Sequence, residues 1–92
     1  MPREPEEVVN LKDIINRGGD LNWFKSYAEE VFYSVEDVDM SYIFQKVFLH
    51  ACLKKKPEIA NWMREVCFPL MPEIEQISIR QCFSYGNFLL KK

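Results

Sequence analysis

Apolar residues recur along this chain every three or four positions and nowhere settle into two-residue alternation, so the regular structure it can build is helical. After a proline-broken start, Val8, Leu11 and Ile15 share one face, with Asp13, Asn16 and Arg17 elsewhere on the wheel. Gly18 and Gly19, tolerant of positive φ, are expected to stop that helix and leave GGDLN as a turn. A second helix is predicted from Trp23 to Tyr33, with Phe24, Tyr27, Ala28, Val31 and Phe32 on a broad apolar face and Glu29 and Glu30 opposite. A third should begin near the acidic stretch 34–39, where Ser34, Asp37, Asp39 or Ser41 can cap it. It carries Ile43, Phe44, Val47, Phe48, Ala51 and Cys52 inward. Pro57 suits a first helical turn and opens a fourth helix to Cys67, with Ile59, Trp62, Met63 and Val66 inward. Pro69 and Pro72 bracket a loop. Pro72 opens a fifth helix carrying Ile74, Ile77, Cys82 and Phe83, Gly86 closes it, and one more helical turn begins at Asn87.

With 92 residues, 48% of them hydrophobic, the chain has enough for one core and too little for two. Its charges are unevenly placed. From Met1 to Asp39 there are ten acidic and four basic residues; from Met40 to Lys92 there are four acidic and eight basic. The densest basic run, Lys54 to Lys56, is short and not interleaved with aromatics, which reads as a solvated helix end and does not favour nucleic acid as a partner. No apolar run approaches the roughly 20 residues of a membrane span, and MPREPEE lacks a signal-peptide core. Neither a membrane nor secretion by the usual route is expected. Cys52, Cys67 and Cys82, an odd number fifteen residues apart, do not suggest a disulfide framework and point to a reducing, cytoplasmic setting.

Placing Ala51–Ala60 over Gln81–Leu90 superimposes Cys52 on Cys82, Leu53 on Phe83, and Ile59 and Ala60 on Leu89 and Leu90, an offset near one helix-turn-helix repeat. The segment ACLKKKPEIANWM resembles the ankyrin repeats of large DNA viruses, which read roughly A-C-x-N-G-H-L-E-V-A-x-W-L. Ala51, Cys52, Glu58, Ile59, Ala60, Trp62 and Met63 fall at matching or similar positions. EVVNLKDIINRGGDLN likewise resembles the second helix and outgoing turn of such a repeat, with Gly18, Asp20 and Asn22 in the turn and Gly19 where the family has alanine. The resemblance touches about half the chain. It departs where the inter-helix glycine is Lys55 in one copy and displaced to Gly86 in the other, and 23–40 does not follow the pattern.

The expected fold is therefore all-α, short antiparallel helix pairs stacked as a small, degenerate ankyrin-like array. One helical domain spans 1–92: a disordered start over 1–6, an ankyrin-like helix and turn over 7–22, an irregular helical insert over 23–40, and repeats over 41–70 and 71–92, the last truncated. The resemblance implies a protein partner, met by inner faces of first helices and by projecting loops. The residues it singles out are Asp20, Leu21, Asn22 and Trp23 in the loop, and Gln45, Leu49 and His50 on a first helix.

Other chemistry is set aside on spacing. His50, Cys52, Cys67 and Cys82 are ligand types zinc accepts, but His50 and Cys52 lie on different faces of one helix and no C-x-x-C pair exists. The same two residues lack the three- or four-residue separation of a nucleophile and its base. There is one histidine, no Walker-type loop, and the acidic residues Glu36, Asp37 and Asp39 are expected in a loop. Trp23, Phe24, Phe32, Phe44, Phe48 and Trp62 read as core. No cofactor and no catalysis are expected. Two functions stay open: an adaptor that binds another protein, in its narrowest form a viral protein engaging a host factor, or a structural subunit that self-associates.

Overall fold

A computed structural model describes residues 5–34 and 37–91. Pro5 precedes α1 (Glu6–Asn16), and its carbonyl accepts the amides of Val8 and Val9 at 3.0 and 3.2 Å, satisfying donors that a helix start otherwise leaves open. Glu6 is thus helical and not part of a disordered start; the rest of that expectation, 1–4, lies outside the described residues. α1 buries Val8, Leu11, Ile14 and Ile15. It ends in a paired-carbonyl turn: Gly19 N–H donates to Ile14 O at 2.9 Å and Gly18 N–H to Ile15 O at 3.1 Å, with Gly18 at φ +73°.

The turn is shorter than GGDLN. Asp20 caps α2 (Leu21–Ser34) by accepting the Trp23 N–H on Oδ1 at 2.8 Å, so Leu21 and Asn22 are already helical. Residues 21–34, expected in part as an irregular insert, form a regular helix that buries Phe24, Ala28, Val31 and Phe32. α3 (Asp37–Leu53) starts inside the acidic stretch. Asp37 and Asp39 therefore belong to its first turn and not to a loop, while Glu36 lies outside the described residues. α3 is apolar nearly all round, as expected of a helix with neighbours on several sides.

α3 ends as α1 does. Lys56 N–H donates to Ala51 O at 2.9 Å and Lys55 N–H to Cys52 O at 3.1 Å, with Lys55 at φ +60°, a left-handed conformation that costs a side-chain residue about 1 kcal/mol. This is the slot where the resemblance expects glycine. The Lys55 ammonium donates to the Leu89 carbonyl and ties the turn to the last helix.

α4 (Pro57–Trp62) is shorter than expected, because the chain widens into a π-helical turn over Met63–Cys67 and then a 3-10 turn over Phe68–Leu70. Pro69 has no N–H to give and its ring crowds the preceding turn, which accounts for the widening. The extra residue rotates the sequence: Val66 turns outward and Cys67 takes its inward place. Pro72 then opens α5 (Glu73–Lys91), its carbonyl accepting the amides of Glu75 and Gln76 at 3.0 Å each.

Gly86 does not close this helix. α5 runs straight through it, and the glycine is buried against α3. A Cβ there would stand 2.6 Å from Phe48 Cε1 and 2.9 Å from Cys52 Sγ, so its use is close approach and not termination. α5 turns Ile79, Cys82, Gly86 and Leu89 inward and leaves Ile74 and Ile77 78% and 62% exposed, against the expectation for those two. The thirty-residue sequence match is consequently not a backbone repeat: 51–60 bends at Lys54–Lys56, whereas 81–90 is straight.

The described residues contain helices and no strand, and the radius of gyration is 12.2 Å. α3 is the hub, packed on α1, α4 and α5. Phe44 stacks on Phe48 at 5.5 Å, and Phe83 meets Phe44, Phe48 and Phe68 edge-on at 6.0, 5.3 and 4.9 Å. Phe24 meets Trp62 edge-on at 5.9 Å. Of the aromatics expected in the core, Trp23 alone is out, 48% exposed.

The role of Gly86 has a measurable sign. Alanine is the better helix former by about 1 kcal/mol, but overpacking costs about 1–3 kcal/mol. Gly86→Ala is expected to lower the urea midpoint by a net of about 1 kcal/mol; a higher midpoint would mean that α3 and α5 do not meet this closely.

Candidate functional site

The sequence-predicted residues fall into two groups. Asp20, Leu21, Asn22 and Trp23 form the N-terminal turn of α2 and not a projecting loop. There Asp20 is occupied as a cap, Leu21 is half-buried on the core, and the Asn22 carbonyl accepts the Ser26 hydroxyl at 3.1 Å. The Trp23 ring lies over Gly19, where a Cβ would stand 2.5 Å from it, so no alanine fits at that position. The second group lies on α3. Gln45 is half-buried, while Leu49 and His50 line a groove.

That groove is built by three helices. Lys46, Leu49, His50 and Leu53 come from one face of α3 at helical spacing, Tyr85 and Leu89 from α5 four residues apart, and Lys12 from α1. They enclose about 250 Å³. Leu49, Leu53, Tyr85 and Leu89 make an apolar floor, of which Leu53 is 58% and Tyr85 54% exposed. His50 also borders an adjoining cleft with Ile15, Asn16, Gly18, Lys54 and Lys56. Its Nε2 lies 2.8 Å from Asn16 Oδ1, which holds α3 to α1 between the two hollows. Lys46 reaches over the Tyr42 ring at 5.6 Å. Among the described residues no carboxylate pairs with Lys46, Lys54 or Lys56, so the rim is cationic without internal compensation.

Sequence reasoning missed Lys12, Lys46, Leu53, Tyr85 and Leu89. The α3 part had a signal: Tyr42, Lys46, Leu49 and Leu53 form a second helical stripe beside the buried one. What the site offers chemically is an apolar floor and a ring of ammonium groups.

The cysteines are elsewhere. All three are free and buried, and burial pushes each thiol up from the ordinary 9.0: Cys52 to about 11, opposed by Arg64; Cys67 to about 12, helped by Glu29; Cys82 to about 11, helped by its neighbour Cys52. Such thiols are poor nucleophiles. Among the described residues, no three of His, Cys, Asp and Glu are grouped to hold a metal, and no helix is long and apolar enough to cross a membrane. No protein-family model, curated protein or solved structure matches the chain.

The thiols set a pH dependence. Unfolded thiols lose their protons near the ordinary value while folded ones keep theirs, so their stabilisation is complete below about pH 9 and is lost as pH rises toward 11–12. The slope is at most about 1.4 kcal/mol per pH unit for each thiol. Urea midpoints are expected to fall between pH 8 and pH 10, and to fall less in Cys67→Ala.

Proposed function

We propose that this chain is a non-catalytic protein-interaction module whose groove between α1, α3 and α5 takes an acidic amphipathic helix. The observation that carries the reading is the juxtaposition of an exposed apolar floor with uncompensated lysines. An apolar face alone would accept any hydrophobic segment; the lysine rim selects one flanked by carboxylates, through contact and through steering of the encounter. Apolar anchors in such a groove carry most of the affinity, and each rim charge adds only about 0.2–1 kcal/mol.

The ankyrin-like resemblance supports the class of activity, partner recognition, and the Lys54–Lys56 turn keeps its form. The binding surface in this reading is the groove in place of projecting loops. A cytoplasmic setting suits three buried free thiols, and a viral adaptor engaging a host factor is the narrower version of the same proposal. The other reading, a structural subunit, has one observation in its favour, the exposed outer face of α5.

Fluorescence anisotropy with two labelled helical peptides, sharing one leucine-rich face but carrying glutamate or lysine flanks, tests the groove. The glutamate peptide is expected to bind, to weaken as salt rises, and to lose about tenfold or more in affinity to Leu53→Asp. Lys46→Glu with Lys54→Glu should abolish the preference between the peptides. Equal binding of both peptides by the unaltered chain would overturn the reading.

A further inference from the structure

α5 carries two apolar faces, and the core uses one. Counting about 100° per residue, the inward set Ile79, Cys82, Phe83, Gly86, Leu89 and Leu90 centres about 140° from a second stripe formed by Ile74, Ile77, Gln81, Tyr85 and Phe88. Ile74 and Ile77 are the exposed isoleucines described above, Phe88 is 60% exposed, and the Tyr85 and Phe88 rings stack at 6.5 Å with an 11° tilt. Pre-stacked rings lose less freedom when covered.

The spacing of the stripe is symmetric about Gln81: its members lie seven and four residues before it and four and seven after it. A helix with that pattern is self-complementary only when two copies run antiparallel about a two-fold axis at residue 81. Ile74 of one copy then faces Phe88 of the other, Ile77 faces Tyr85, and the two Gln81 amides meet at the axis, where a single polar layer fixes register. Each layer pairs an aliphatic side chain with a ring; a parallel pair would set Phe88 on Phe88 and Ile74 on Ile74.

The charges agree with the antiparallel choice. Glu73 in the first turn and Lys91 in the last are both exposed and lie on the same flank, about 80° from the stripe. Antiparallel pairing brings Glu73 of each copy beside Lys91 of the other and opposes the two helix dipoles favourably, whereas parallel pairing sets like charges together. Arg80, the charge nearest the axis, lies farther round the helix, about 100° from the stripe.

We infer that two copies of this chain associate through the outer face of α5 as an antiparallel, two-fold dimer centred on Gln81. This goes beyond the groove reading and stands on other residues; Tyr85 borders both surfaces, and the variants below avoid it.

Light scattering across a concentration series in reducing buffer tests the dimer. The expected mass rises from one chain to two, and Ile77→Lys raises the midpoint concentration about tenfold or more, which is about 1.4 kcal/mol. Ile77 is exposed, so the variant should unfold at the same temperature when both are diluted below the midpoint. Orientation is read separately under oxidising conditions. A mixture of Ile74→Cys and Phe88→Cys chains is expected to cross-link between the two variants and neither with itself. A monomer at every concentration, a dimer indifferent to Ile77→Lys, or self-linking by each cysteine variant alone would each overturn the proposal. Because Lys46 and Leu53 lie outside the stripe, loss of peptide binding in their variants with the dimer intact separates the groove from this interface.

Discussion

The rest of the fold depends on how closely α5 approaches α3 at Gly86. Helices with ordinary side chains at their contact stand about 8–10 Å apart. Here the Phe48 ring and the Cys52 sulfur occupy the volume in which any side chain at residue 86 would have to lie. That approach lets Phe83 enter between Phe44, Phe48 and Phe68, so four rings close the core at one end. It also sets the width of the groove, since Leu89 and Tyr85 face Leu49 and Leu53 across the same seam. Lys55 then reaches the Leu89 carbonyl from the end of α3, a second tie on the same seam.

Much of this was legible in the sequence, and the failures have separate physical origins. The α1, α2 and α3 faces follow from spacing, and Pro57 and Pro72 open helices as their fixed φ dictates. Gly18 and Gly86 look alike as letters. The first takes positive φ and ends a helix; the second is helical and serves proximity, and nothing local distinguishes the two uses. Val66 and Cys67 exchange roles because the helix widens before Pro69, which a constant 100° step does not anticipate. Ile74 and Ile77 have the right period, but a helix with two apolar stripes does not say which is inner.

The groove was half visible for a related reason. Leu49 and His50 stand out within α3, whereas Lys12, Tyr85 and Leu89 come from helices more than thirty residues away on either side. Their convergence is a property of packing. The charge asymmetry of the two halves is similarly redistributed: Lys12, from the acidic half, joins Lys46 of the basic half around one hollow. A partner meets this mixed local surface and not the charge of either half.

The wide turn at Met63–Cys67 has a consequence for how this chain can change length. A π turn holds one residue more than the α-helical path it replaces, so losing any single residue there would leave a continuous α-helix behind. That helix would deliver everything after it rotated by about 100°. Val66 would regain the inward position that Cys67 now holds, and α5 would leave its seat on Phe48. A one-residue deletion, elsewhere in a loop often silent, would at this point act as a rotation of the whole C-terminal third of the molecule.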